Sequence, residues 1–374
     1  MSTTVALVSH LRPNPEGGYL WVYLNWALGL RALGCRVVWL EGINPTTAPN
    51  QVRATVATLK HRLRPYGLAE SVALCSWTEA PLDRTVAEGC LEIEPAEVDL
   101  LLNVGYYEIP TEVVARFRRS ALIDIDPGLL QIWMTYQKLS VARHDVYFTI
   151  GETVGRPGAR FPDAGLTWQY TPPCVALEWW PPCQARADAP FTTISHWWGD
   201  WVDVLGTTYA NDKRSGFLPF LDLPGRTDQP LELALCLGHD QTERLILEER
   251  GWRVGDAQTV AFTPWDYQRY IQESRGEFSC VKPSCIRLQN AWISDRTLCY
   301  LASGKPAVVQ HTGSSLFLPD RAGLLRFRDL VEAAQCLDSV AVDYERQCRL
   351  ARALVEQHFD ARKVVARVLE RALP

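Results

Sequence analysis

Apolar and polar positions along this chain fall into blocks of two lengths. Short apolar runs bounded by turn residues read as strands: TTVALVSHL (3–11), CRVVWLEGI (35–43), SVALCSW (71–77), VDLLLNVG (98–105), ALIDID (121–126) and DVYFTIG (145–151). Longer segments with helical spacing lie between them. One covers 17–34 and is closed by Gly34, a polar one covers roughly 50–66, PTEVVARF (110–117) opens on Pro110, and another lies near 128–143. Strand, helix and strand in quick succession is a βαβ unit, and that connection requires a parallel sheet.

The pattern breaks at LTWQYTPPCVALEWWPPCQARADAP (166–190), which is rich in Pro and Trp and has no helical period. Residues 170–190 therefore read as a connection. The alternation resumes with FTTISHWW (191–198), LELALCLG (231–238), a helix near 240–251 and strands near 257–262 and 277–281, and the chain beyond 330 reads as helices. The expected fold class is α/β, with two Rossmann-like domains facing a cleft: 1–180 and 190–358. In such sheets ligands bind at the carboxyl ends of the strands.

Composition narrows the function. The chain has 374 residues, 47% hydrophobic and 22% charged, with a net charge of −5. That is globular, and it lacks the basic footprint of a nucleic-acid binder. No apolar run approaches the ~20 residues of a membrane span. MSTTVALVSHL runs directly into a strand with no basic leader, so a cytoplasmic location is expected. The eleven cysteines include no C-x-x-C pair and read as reduced, mostly buried thiols with no metal site. No G-x-G-x-x-G follows the first strand, which removes the main support for a dinucleotide dehydrogenase, and G-x-S-x-G and H-E-x-x-H are both absent.

The segment SDRTLCYLASGKPAVVQHTG (294–313) carries the most chemistry. Ser294 suits an N-cap, Leu298, Leu301 and Ala302 an inward face, and Gly304 with Pro306 a helix stop. Ala307–Val309 is then a short buried strand whose turn, Gln310–Gly313, lies on the ligand side of a parallel sheet. A helix N-terminus favours an anion, and Arg296 adds a fork suited to phosphate oxygens. Asp295 would repel phosphate and better suits a ribose hydroxyl, while Thr312 and Gly313 offer a hydroxyl and a backbone that a ligand can approach closely. These residues would hold a nucleoside diphosphate bearing a sugar. A capped helix followed by an ordinary turn is the structural alternative.

R-x-x-C-Y-L-A-S-G-K-P-A-V-V with the following T-G resembles the donor segment of GT-B glycosyltransferases, especially the retaining, family-4-like group. GGYLW…LGLRALGCRVVWLEG is similar to the acceptor domain of that fold, with a Gly-Gly loop before the first helix. The resemblance implies that the last helix, about 360–374, crosses back to the first domain. It also implies a metal-independent hexosyl transfer, with a nucleotide sugar (UDP as the base) as co-substrate and no other cofactor. The Glu-x7-Glu carboxylates of the group are replaced here by Ala291 and Cys299.

Other candidates follow the same logic. His10 ends the first strand, where inverting GT-B enzymes place a histidine base, and neutral imidazole suits that role. Gly17 and Gly18 would let backbone approach the acceptor. Asp124 and Asp126 form a D-x-D, of which Asp126, at the strand end, is the catalytic candidate. Glu152 ends the next strand and would orient an acceptor. Lys213, beside Arg214, would neutralise the leaving diphosphate. The tryptophans of HWWGDW (196–201) would stack on a base or sugar, or pack against Trp179 and Trp180. The expected activity is glycosyl transfer to a small-molecule or glycan acceptor. The alternatives are a nucleotide-sugar epimerase and an inactive nucleotide-sugar-binding protein.

Overall fold

The computed structural model describes residues 2–373 apart from 79–80, 83–84, 106–108, 205 and 320–322. The chain divides into two compact units. The first comprises 1–155, 162–176 and 361–374, and the second 156–161 and 177–360.

Among the described residues the first unit holds seven strands: β1 (Thr4–Ser9), β2 (Arg36–Ile43), β3 (Val72–Ser76), β4 (Leu100–Val104), β5 (Ser120–Asp124), β6 (Val146–Thr149) and β7 (Trp168–Tyr170). They form one sheet in the order β3-β2-β1-β4-β5-β6-β7, and each pairing is parallel. Parallel strands covered on both faces must be apolar throughout, and β1, β4 and β5 are buried along nearly their whole length.

Helix Gly17–Ala32 is buried along most of its length. It packs against the last helix, Ala361–Ala372, which returns to this unit as the resemblance implies. A Cβ on Gly29 would lie 2.9 Å from both Ala361 Cβ and Val365 Cγ2, so the two backbones approach only because Gly29 has no side chain. Val364, Val365 and Val368 are fully buried there, each contributing about 1.5–3 kcal/mol. Arg119 Nε donates to the Ala372 carbonyl (3.1 Å), and the Ala361 N–H donates to Val175 O (3.0 Å).

The second unit holds β8 (Phe191–His196), a hairpin of β9 (Trp201–Val204) and β10 (Thr207–Ala210), then β11 (Leu231–Cys236), β12 (Arg253–Asp256), β13 (Gly276–Ser279), β14 (Ala307–Gln310) and β15 (Leu324–Phe327). Its main sheet runs β12-β11-β8-β13-β14-β15, again all parallel. Counted along each main sheet, both place strands in the order 3-2-1-4-5-6, with β7 added at the end of the first. The core centres on Phe217, Phe278 and Phe327, the last two stacked at 5.2 Å.

One expected strand is wrong. Residues 257–260 form a short helix capped by Asp256, whose carboxylate accepts from Gln258 N–H, and the strand lies just before it at β12. The hairpin β9–β10, the short β7, helix Pro264–Glu273 and β15 were not anticipated.

Candidate functional site

In each sheet the order reverses beside the unit's first strand, at β1/β4 and at β8/β13, and this opens a crevice at the carboxyl edge. In the second unit β8 and β13 pair only at Phe191↔Gly276 and Thr192↔Glu277, and then part. Arg296, in the first turn of helix Asp295–Ala302, fills the gap. Its Nη1 donates to Ile194 O (2.9 Å), its Nη2 to Ser279 Oγ (2.7 Å) and its Nε to Glu277 Oε1 (2.9 Å). Glu277 is fully buried and Arg296 is 12% exposed. The expected phosphate clamp is therefore corrected: the guanidinium neutralises a buried carboxylate and ties the parted strands together. Ser294 caps this helix as expected, accepting from Arg296 N–H at 3.3 Å.

Thr312 and Gly313 are corrected in the same sense. The Thr312 hydroxyl donates to Trp292 O (2.6 Å), its carbonyl accepts from Ala291 N–H (3.0 Å), and the residue is 3% exposed. Gly313 has φ 127°, and a Cβ there would lie 2.8 Å from the Gln289 backbone. The close approach it permits is to the chain's own 289–291 segment. Ala291 and Cys299, which stand in the carboxylate positions of the resembled group, are both buried.

Lys213 opens helix Lys213–Phe217, capped by Asp212. Its ammonium donates to Cys280 O, just beyond β13, at 2.6 Å. Burial and the neighbouring Arg296 and Lys282 charges bring its pKa down from 10.5 to about 7. The Lys213–Arg214 pair does not act together: Arg214 Nε donates to Glu243 (2.6 Å), which also accepts from Trp197 Nε1 (3.0 Å). Asp295 is half-buried at the same edge, and burial raises its pKa against the pull of Arg296.

The first unit's edge carries the remaining candidates. His10 follows β1. Its N–H donates to Tyr19 Oη (3.0 Å), which donates in turn to His10 O (2.8 Å). Burial, then the Arg12 charge, lowers the imidazole pKa and favours the neutral ring. Gly17 and Gly18 form the first turn of helix Gly17–Ala32 rather than a loop before it. Asp126 follows β5, and its N–H donates to Asp124 Oδ1 (3.0 Å). Asp124 points into the protein, where it accepts from Gln131 Nε2 (2.8 Å) and Thr149 Oγ1 (2.7 Å) and is pushed up to about 7 by burial. The D-x-D is thus a support for the β5 turn and not a paired cation site. Glu152, beyond β6, is buried.

Sequence reasoning missed Glu41. It is buried at the end of β2, accepts from Ser9 Oγ (2.6 Å) and Trp39 Nε1 (2.7 Å), and is pushed up to about 7 by burial. It also missed Glu277. In both cases an acid stood inside an apolar strand of a parallel sheet, and that was the available signal. The tryptophans divide. Trp197 lies in the core against Phe217 (5.5 Å) and Trp180 packs edge-on to Tyr267 (6.4 Å). Trp198 and Trp201 are 46% and 70% exposed.

Solved structures match this architecture along nearly its whole length. Sucrose-phosphate synthase from Thermosynechococcus elongatus is 12% identical with a TM-score of 0.56, over 99% of this chain and 98% of that one. An alpha-glucosyltransferase in complex with UDP and DNA is 10% identical with a TM-score of 0.64, over 99% of both chains. The chain has the GT-B fold. HepE from Anabaena, in complex with UDP-glucose, shares this GT-B architecture at 13% identity and a TM-score of 0.55, over 98% of this chain and 99% of that one. No family model matches the sequence, and no curated protein matches it. Among the described residues no helix is long and apolar enough to cross a membrane.

Proposed function

We propose that the protein is a glycosyltransferase that moves a sugar from a nucleoside-diphosphate sugar, with UDP as the carrier, to a small-molecule or glycan acceptor. The observation that carries this reading is Lys213. It is a desolvated ammonium at the β8/β13 switch point whose charged neighbours include Arg296 and Lys282. Such a site is completed by an anion, and similar folds were solved with UDP or UDP-glucose.

In this reading Lys213, with the neighbouring Lys282, stabilises the charge that develops on the diphosphate as the glycosidic bond breaks, while Arg296 stays paired to Glu277. No metal or other cofactor is assigned a part, because these cations already supply the positive charge. Asp295 takes a ribose hydroxyl. The acceptor is assigned to His10, Gly17, Gly18 and Glu152 in the first unit. His10, held toward its neutral form, accepts the acceptor proton if configuration inverts, with Asp126 as the alternative base. Cytoplasmic placement belongs to the same proposal.

Thermal denaturation with UDP, GDP, dTDP and ADP tests the donor site. A nucleoside diphosphate at a hundred times its Kd stabilises by about 2.7 kcal/mol. UDP is expected to raise the midpoint in the wild type and to lose most of that effect in Lys213→Met, and no response to any of the four would refute the reading. A second reading, binding without transfer, rests on the buried Ala291 and Cys299. It predicts the same shifts with no release of UDP from any UDP-sugar.

A further inference from the structure

The turn that closes helix Asp295–Ala302 contains a lysine in an unusual setting. Lys305 is fully buried, and its ammonium meets no oxygen acceptor. Thiols surround it instead. The Cys183 N–H donates to Ser303 O (3.1 Å), which anchors Cys183 beside the turn, and the Cys183 thiol lies 3.9 Å from the same carbonyl and 3.4 Å from Gln272 O. A Cβ on Gly304 would lie 3.5 Å from Pro182 Cβ and 3.8 Å from Cys348 O, so two cysteine-bearing segments flank the turn. The Cys183 and Cys348 sulfurs both lie close enough to act on the Lys305 charge, Cys183 the more strongly.

Burial lowers the Lys305 pKa and so favours the free amine, a nucleophile. It raises that of Cys183, with Lys305 opposing. Cys183 also lines a cavity of about 640 Å³ that opens at the amino ends of β8, β11 and β12. That is the sheet edge opposite the donor site, and a small oxidant can enter there without crossing the core.

We propose that Cys183 and Lys305 are the two ends of an oxidant-dependent covalent cross-link, formed with hydrogen peroxide. The Cys183 sulfur attacks one peroxide oxygen; the S–O bond forms, the O–O bond breaks and water leaves. The Lys305 nitrogen then attacks that sulfur; the S–N bond forms, the S–O bond breaks, and the hydroxyl leaves as a second water with a proton from the amine. The thiol–amine pair loses two hydrogens and the peroxide is reduced to water. A thiol reductant reverses the link. It would join the segment that opens the second unit to the turn before β14.

Peptide mass mapping of the full chain after peroxide treatment tests the assignment. The expected product is the Cys183 peptide joined to the Lys305 peptide, lighter than their sum by two hydrogens and separated again by dithiothreitol. It should form in the wild type and in Cys348→Ser, and be absent from Cys183→Ser and Lys305→Met. Should a variant not fold, the wild-type map alone decides. Cys183 carried to a sulfinic acid with Lys305 unmodified would overturn the proposal. So would a Cys183–Cys348 disulfide, or an unreacted Cys183 after other thiols have oxidised.

Discussion

Lys213 gives the donor-site proposal a quantitative consequence. Its pKa lies at about 7 instead of 10.5, a difference of roughly 4–5 kcal/mol between the charged and neutral forms. Bound phosphates would return the ammonium toward its ordinary range, so UDP binding must take up a proton wherever the free site is neutral. The linkage fixes the sign: affinity falls as pH rises above the free-site pKa, by a factor approaching ten per pH unit. Between pH 7 and pH 9 the Kd for UDP should rise about fiftyfold, because half the free sites are charged at pH 7 and about one in a hundred at pH 9. Isothermal titration calorimetry reads this in two ways. The Kd follows pH, and the heat measured in buffers of different ionisation enthalpy gives close to one proton taken up per UDP at pH 8.5. Lys213→Met should bind more weakly at pH 7 and show neither effect. A wild-type Kd constant from pH 7 to 9, with no proton uptake, would refute the reasoning.

Three further outcomes test the packing and charge arguments. Arg296→Met leaves the buried Glu277 unpaired and should cost about 3–5 kcal/mol in chemical denaturation. Adding Glu277→Gln should recover most of that loss and retain UDP binding, whereas failure of the double variant to bind UDP would restore Arg296 as a phosphate ligand. Burial raises Glu41 from 4.5 to about 7, so the unfolded chain releases this proton before the folded one and stability falls as pH rises across that window. Glu41→Gln should flatten the fall and gain up to about 3 kcal/mol at pH 8, read from urea midpoints at pH 5 and 8. Gly29→Val would drive methyl groups into Ala361 and Val365 and should destabilise by at least about 1–3 kcal/mol; an unchanged melting temperature would contradict the helix contact.

The sheets were legible because a parallel strand buried on both faces must be an apolar run, and β1, β2, β4 and β11 are largely such runs. The misses have equally local causes. β7 is three residues of intermediate burial, too short to show a pattern. In β9–β10 the buried residues are Val202, Val204 and Ala210, with Trp201 exposed beside them, so no apolar run marks the hairpin. The stretch 257–262 carries Val260, Ala261 and Phe262, a strand-like run overruled by the Asp256 cap. The candidate residues were legible in their position on the fold but not in their contacts. The sequence placed Ser294, Asp295 and Arg296 at a helix start on the ligand edge, where they are found. It could not show that Glu277, nineteen residues earlier, lies beneath Arg296 and occupies it. Thr312 and Gly313 failed for the same reason: their partners, Trp292 and Gln289, are set by the fold of an irregular segment. Lys213 was found as a charge; its depressed pKa comes from burial and from Arg296 and Lys282, which two distant segments bring beside it.

A crystal structure of the protein soaked with UDP tests the central claim most directly. The account predicts the diphosphate at the carboxyl edge of the second unit's sheet, with a phosphate oxygen accepting a hydrogen bond from Lys213 Nζ and with Arg296 still paired to Glu277. UDP bound elsewhere, or at that edge with Lys213 still held by the Cys280 carbonyl and making no contact with phosphate, would contradict it.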